Sequence, residues 1–107
     1  MSETALKTIL SELKSGLAGA LGARLDTACL FGSRARGEAE PDSDIDVLIV
    51  VRGDFDYAEL IQRTSALASE LSLKHKVVIS RVFVSKERFE REQSPFLLNV
   101  RREAVPL

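Results

Sequence analysis

From Asp44 to Val51 the chain reads Asp-Ile-Asp-Val-Leu-Ile-Val-Val, a largely β-branched run whose only two polar members are both aspartates. Residues of this kind suit a pleated, buried surface, and the run is the clearest strand in the chain. A strand so apolar needs neighbours to pair with and helices to cover it. The rest of the sequence supplies both. Thr27-Ala28-Cys29-Leu30-Phe31 is a short apolar run ending at Gly32, as a strand buried on both faces would be. Val77-Val78-Ile79 and Val82-Phe83-Val84 read together as a third strand.

Helical periodicity fills the intervals. Leu6, Ile9, Leu10, Leu13, Leu17 and Leu21 form one stripe over residues 3–21, with Ser2 as N-cap and Gly22 as stop. Arg52-Gly53-Asp54 is a turn, although the tripeptide also occurs in cell-adhesion proteins. Asp56-Tyr57-Ala58-Glu59 has capping-box spacing and opens a second helix over residues 56–72. Ser85 caps a short charged helix whose Lys86–Arg91 stretch reads as a solvated face, and Ser94-Pro95 starts another helix with proline at its first position. The expected fold class is α/β or α+β: a small mixed β-sheet flanked by helices.

With 107 residues, 45% of them apolar and 29% charged, the chain has the balance of a single globular domain, 1–107, with one two-layer core. A net charge of −1 gives no global positive field, so neither a long nucleic acid nor an anionic membrane is an expected partner. Cys29 is the only cysteine, which excludes an intrachain disulfide and a thiolate metal cluster and suits a small buried hydrophobe. Glu3, Lys7, Glu12 and Lys14 interrupt every N-terminal apolar run, leaving no signal-peptide core or membrane span, and a cytoplasmic location is expected. His75 stands alone among histidines, far from any partner in sequence, and reads as a surface or strand-end residue. The tail Ala104-Val105-Pro106-Leu107 is wholly apolar and is expected to pack on the core, join a sheet edge or meet a partner.

The chemistry concentrates at residues 32–46. Side chains alternate along a strand, so Asp44 and Asp46 project to one face with Cα atoms about 6.6 Å apart. Buried like charges are unfavourable without a cation between them. Oxygen donors with no cysteine and no nearby histidine favour Mg²⁺ or Mn²⁺ over zinc. Gly32-Ser33 directly follows the first strand, where a residue without Cβ lets backbone N–H groups approach a phosphate and Ser33 adds a hydroxyl. Arg34 and Arg36 either offer guanidinium groups to phosphate oxygens or pair with Glu38 or Glu40 at the surface. A metal bridging carboxylates and a nucleoside triphosphate is the general arrangement of phosphoryl and nucleotidyl transfer.

Phe31-Gly32-Ser33-Arg34-Ala35-Arg36-Gly37, continued by Ser43-Asp44-Ile45-Asp46-Val47-Leu48-Ile49-Val50, resembles the signature of minimal nucleotidyltransferases in the DNA polymerase β-like superfamily. Its composite form is Gly-Ser, ten residues, then Asp-x-Asp. Ser94 to Glu103 is also similar to the helix that closes many such domains. The resemblance implies that Asp44 and Asp46 hold Mg²⁺ as the catalytic pair while Gly32 and Ser33 bind the triphosphate. It implies transfer of a nucleoside monophosphate, AMP from ATP, to a hydroxyl on a protein or small molecule. It further implies a HEPN-type toxin as partner, which the chain neutralises by modification or, alternatively, by contact alone. The family's third carboxylate on the next core strand is missing: Lys76-Val77-Val78-Ile79-Ser80 contains no acid, and Val78 or Lys76 is expected at the place. The expected outcomes are weak activity, lost activity, or a site completed by Glu38, Glu40 or a partner chain. A domain this small has little surface to enclose both nucleotide and acceptor, so a homodimer or a separate acceptor-binding subunit is expected.

Overall fold

Sheet and helices follow from two opposite apolar faces on the same strands. The computed structural model describes residues 1–107. Helix α1 spans Glu3–Leu21 and leads through a 3₁₀ turn, Gly22–Arg24, into strand β1, Leu25–Phe31. A four-residue helical turn, α2, covers Gly32–Ala35, and a loop then reaches strand β2, Ile45–Val51. Helix α3, Tyr57–His75, precedes strand β3, Ile79–Ser85. Helices α4, Lys86–Arg91, and α5, Pro95–Glu103, are followed by a two-residue strand β4, Val105–Pro106. The sheet order is β3-β2-β1-β4, with β1 antiparallel to β2 and β4, and β2 parallel to β3. It is a mixed sheet, as the sequence pattern implied.

Strand β2 lies in the interior of the sheet, and Val47 through Val51 are fully buried. Its residues alternate between two packing clusters. Ile45, Val47, Ile49 and Val51 meet Ile9, Leu13, Leu17 and Leu60 from α1 and α3 on one face. Leu48 and Val50 meet Leu97 and Val100 from α5 on the other. Helices therefore cover both faces, giving three layers rather than the two expected, because an unbroken apolar strand must be shielded on each side.

Local chemistry sets the element ends. Ser2 Oγ accepts from the Ala5 N–H, and Asp56 accepts from the Ala58 and Glu59 N–H groups. Helix α3 runs three residues past the expected 72 and stops where Lys76 adopts a left-handed conformation at φ 54°. The third strand is one continuous segment. Arg81 lies within it because its guanidinium reaches over the edge to the Ile61 carbonyl and Thr64 Oγ1 of α3. The apolar tail joins the sheet edge beside Cys29 and Leu30 and packs Ala104 and Leu107 on the core, two of the three expected fates. No helix is long and apolar enough to cross a membrane.

Candidate active site

The face that α5 covers is covered only in part. Leu48 and Val50 lie beneath the helix, while Asp46, on the same face one pleat earlier, is half-buried at the open end. Asp44 precedes the strand by one residue and is exposed. The two carboxyls are neighbours. Burial first, then the charge of Asp44, pushes the Asp46 carboxyl above its ordinary value, with Arg36 opposing.

Strand β1 ends against this pair. Phe31 is opposite Asp46 in the antiparallel register, and the chain turns sharply at Gly32, which has φ +75°. A Cβ added at Gly32 would stand 2.5 Å from Asp46 Oδ2. Glycine is therefore favoured twice, for its backbone conformation and for the approach of the carboxylate. Gly32 and Ser33 open α2, and the first N–H groups of so short a helix have no partner within it. These donors lie at the Asp46 corner, where an anion and a cation would meet.

The two arginines occupy different places. Arg34 is half-buried, with Nε and Nη2 donating to the Ser43 carbonyl at 3.0 and 2.6 Å and Nη2 to the Pro41 carbonyl at 3.5 Å. Its guanidinium fork ties down the segment that delivers Asp44. Arg36 is more exposed and bridges Glu38 and Glu103, each at 3.1 Å, while its charge reaches Asp46. Glu38, expected as a substitute ligand, is thus ion-paired, and Glu40 is exposed in the loop, where its N–H donates to Ser43 Oγ.

Position 80 was not singled out in the sequence as a site residue. The parallel register sets Ser80, not Val78 or Lys76, opposite Asp46. Ser80 Oγ lies 3.3 Å from Asp44 Oδ2, to which it donates. Lys76 is instead the cap of α3, and the Val78 carbonyl accepts from the Ile45 N–H. The reason lies in the start of β3: two residues of the Val77-Val78 run are consumed in leaving the helix, which moves the register along. No group of three or more His, Cys, Asp or Glu side chains forms a metal cluster anywhere in the chain.

Other polar candidates have structural partners. His75 Nε2 lies 3.4 Å from Glu12 Oε2 and joins the end of α3 to α1. The Cys29 thiol is buried and pushed up to about 11, so it remains protonated at neutral pH. Two grooves flank the corner, one of about 440 Å³ behind α2 and one of about 390 Å³ between the 41–43 loop and the α3–β3 junction. Neither is lined by the exposed Asp44 or the half-buried Asp46. The donor set at that corner is all oxygen, two carboxylates and a hydroxyl, and fits a hard divalent cation that keeps several waters.

Comparison with known proteins gives the same direction. The Nucleotidyltransferase domain family matches residues 6–104. Over 90 residues the chain is 40% identical to MJ0604 of Methanocaldococcus jannaschii, a proposed protein adenylyltransferase, covering 84% of this chain and 80% of that one. The structure of a proposed minimal nucleotidyltransferase superposes with a TM-score of 0.58 at 30% identity over 100% of both chains. A complex of tri-AMPylated Shewanella oneidensis HEPN toxin with its MNT antitoxin is similar in fold, with a TM-score of 0.59 and 18% identity across 94% of this chain and 69% of that chain. A Gly-Ser turn seated on the second of two spaced aspartates lies inside a match that leaves out only a few residues at each end, and the chain belongs to the nucleotidyltransferase domain family.

Proposed function

We propose that the chain is a Mg²⁺-dependent nucleotidyltransferase that moves AMP from ATP to a hydroxyl on a protein. The observation that carries this reading is the contact between Gly32 and the Asp46 carboxylate, with Asp44 beside it. Asp44 and Asp46 would hold the cation, which supplies charge neutralisation for the triphosphate and the leaving pyrophosphate. Gly32 and Ser33 present backbone N–H groups, and Ser33 its hydroxyl, to the phosphate oxygens. Arg36 stands at the rim, close enough to Asp46 to be felt there, and can exchange its surface carboxylates for phosphate. In the transfer, the acceptor oxygen bonds to the α-phosphorus, the bond to the β-phosphate bridge breaks, and pyrophosphate departs. The hydroxyl proton leaves to water across the open face.

The open setting of the aspartates supports an acceptor carried by a second molecule. The similarity to a proposed protein adenylyltransferase favours a protein acceptor, and the fold likeness to an MNT antitoxin points to a HEPN-type toxin as the candidate. Incubation with ATP labelled at the α-phosphate, Mg²⁺ and candidate acceptor proteins tests the reading. Label should reach the acceptor with the wild type and not with Asp44→Asn/Asp46→Asn; equal labelling by the double variant would refute it.

One observation favours a second reading. Ser80 stands where a further carboxylate would strengthen the site, so the chain could act by binding its partner without transfer. That reading requires the double variant to neutralise the partner as well as the wild type does, and loss of neutralisation contradicts it.

A further inference from the structure

Three side chains share one corner: Asp44, just ahead of β2, Asp46 within β2, and Ser80 on β3. Ser80 is in register with Asp46 and half-buried, and its hydroxyl donates to Asp44 Oδ2, so it already uses part of that carboxylate's accepting capacity. No other acidic or histidine side chain completes a cluster with them. The protein therefore offers two carboxylates to an ion that prefers an octahedral oxygen shell, and Asp44 is open to solvent, where its attraction is screened. Such a site is short of both negative charge and ligands until phosphate oxygens arrive.

We infer that the absence of a carboxylate at position 80, where serine stands in register with Asp46, is what makes cation binding at this corner depend on a bound nucleoside triphosphate. The inference rests on the reading of Asp44 and Asp46 as cation ligands. A hydroxyl at position 80 donates to a carboxylate without adding charge. A carboxylate there would face the same corner and supply the missing negative ligand before any nucleotide bound. The free protein would then hold the ion more tightly, and the nucleotide would add less to its binding. With serine the corner is emptied each time the product leaves.

Water-proton relaxation enhancement with Mn²⁺ separates the cases, because protein-bound ion is distinguished from ion bound to nucleotide alone. For the wild type, protein-bound Mn²⁺ should be at least about tenfold tighter with a non-hydrolysable ATP analogue than without it, a ratio that each 1.4 kcal/mol of coupling supplies. Ser80→Asp should raise the nucleotide-free affinity by about thirtyfold, the effect of one further carboxylate about 4 Å from a divalent ion in water. Ser80→Ala should keep the wild-type dependence on nucleotide, since it adds no ligand. Equal wild-type affinity with and without the analogue would overturn the inference even if Ser80→Asp failed to fold. So would a folded Ser80→Asp whose nucleotide-free affinity is unchanged. A wild type that binds Mn²⁺ in neither condition would remove the reading of the aspartates themselves, and the inference with it.

Discussion

Replacing Gly32 by alanine tests the geometry of the site against a built-in control. Gly32 and Gly53 both have φ +75°, but a Cβ at Gly53 meets nothing within 4 Å whereas one at Gly32 stands 2.5 Å from Asp46 Oδ2. Each alanine variant should lose roughly 1–2 kcal/mol for the left-handed backbone. For a domain near this size that is a fall in Tm of about 4–16 °C. Only Gly32→Ala also displaces the carboxylate. To bring 2.5 Å to the 3.4 Å of an ordinary contact, Oδ2 must move by 0.9 Å. Shifting a group that orients or forms a metal site typically costs about 10–100-fold in affinity or rate. Calorimetric titration with Mg²⁺ and a non-hydrolysable ATP analogue reads this directly, below the melting range of both variants. Gly53→Ala should bind as the wild type does and Gly32→Ala at least about tenfold more weakly. If the two bind alike at matched stability, the contact between Gly32 and Asp46 does not shape the site and the reasoning fails.

Asp46 also makes stability depend on pH. Burial and the neighbouring Asp44 raise its carboxyl in the folded chain, so its favourable contribution is present below the ordinary carboxylate value and lost as pH rises through the folded value. Asp46→Asn should therefore raise Tm at pH 7, with the gain shrinking as pH falls toward about 4; a gain that is constant or grows toward acid would contradict this. Arg34→Ala should lower stability by about 1–3 kcal/mol through loss of its bonds to the Ser43 and Pro41 carbonyls, and lysine should not rescue it. Unchanged stability with a loss of nucleotide affinity would instead place Arg34 on phosphate. Arg101→Ala should cost about 1–3 kcal/mol, because its guanidinium donates to the Phe89 and Glu92 carbonyls and fastens the end of α4 to α5; denaturant melts with an unchanged midpoint would refute that role.

The parts of this fold that depend on local pattern were readable in the residues. Strand β2 and helix α1 carry their periods openly, and Ser2, Asp56, Ser85 and Ser94 cap the helices expected from their spacing. The pairing of Gly32-Ser33 with Asp44 and Asp46 was legible because both motifs lie at the ends of adjacent apolar strands. What escaped depends on contacts distant in sequence. Ser80 became visible only through the β2–β3 register, since Ser80 and Arg81 interrupt the apolar run and hide where the strand begins. The sequence leaves Arg34 open between a phosphate and a surface carboxylate, and nothing in it says that Ser43, nine residues on, turns its carbonyl back toward the guanidinium. Helix α2 has the composition of a polar loop, and a single turn of glycine, serine, arginine and alanine has no apolar stripe to reveal it. The small strand β4 contains proline and is specified by its place beside Cys29 and Leu30 rather than by propensity.

The most direct measurement is the anomalous scattering of Mn²⁺ in crystals grown with a non-hydrolysable ATP analogue. The account predicts one ion bonded to carboxylate oxygens of both Asp44 and Asp46, with the triphosphate against the N–H groups of Gly32 and Ser33. An ion bound elsewhere, or a triphosphate away from the glycine-serine turn, would contradict it.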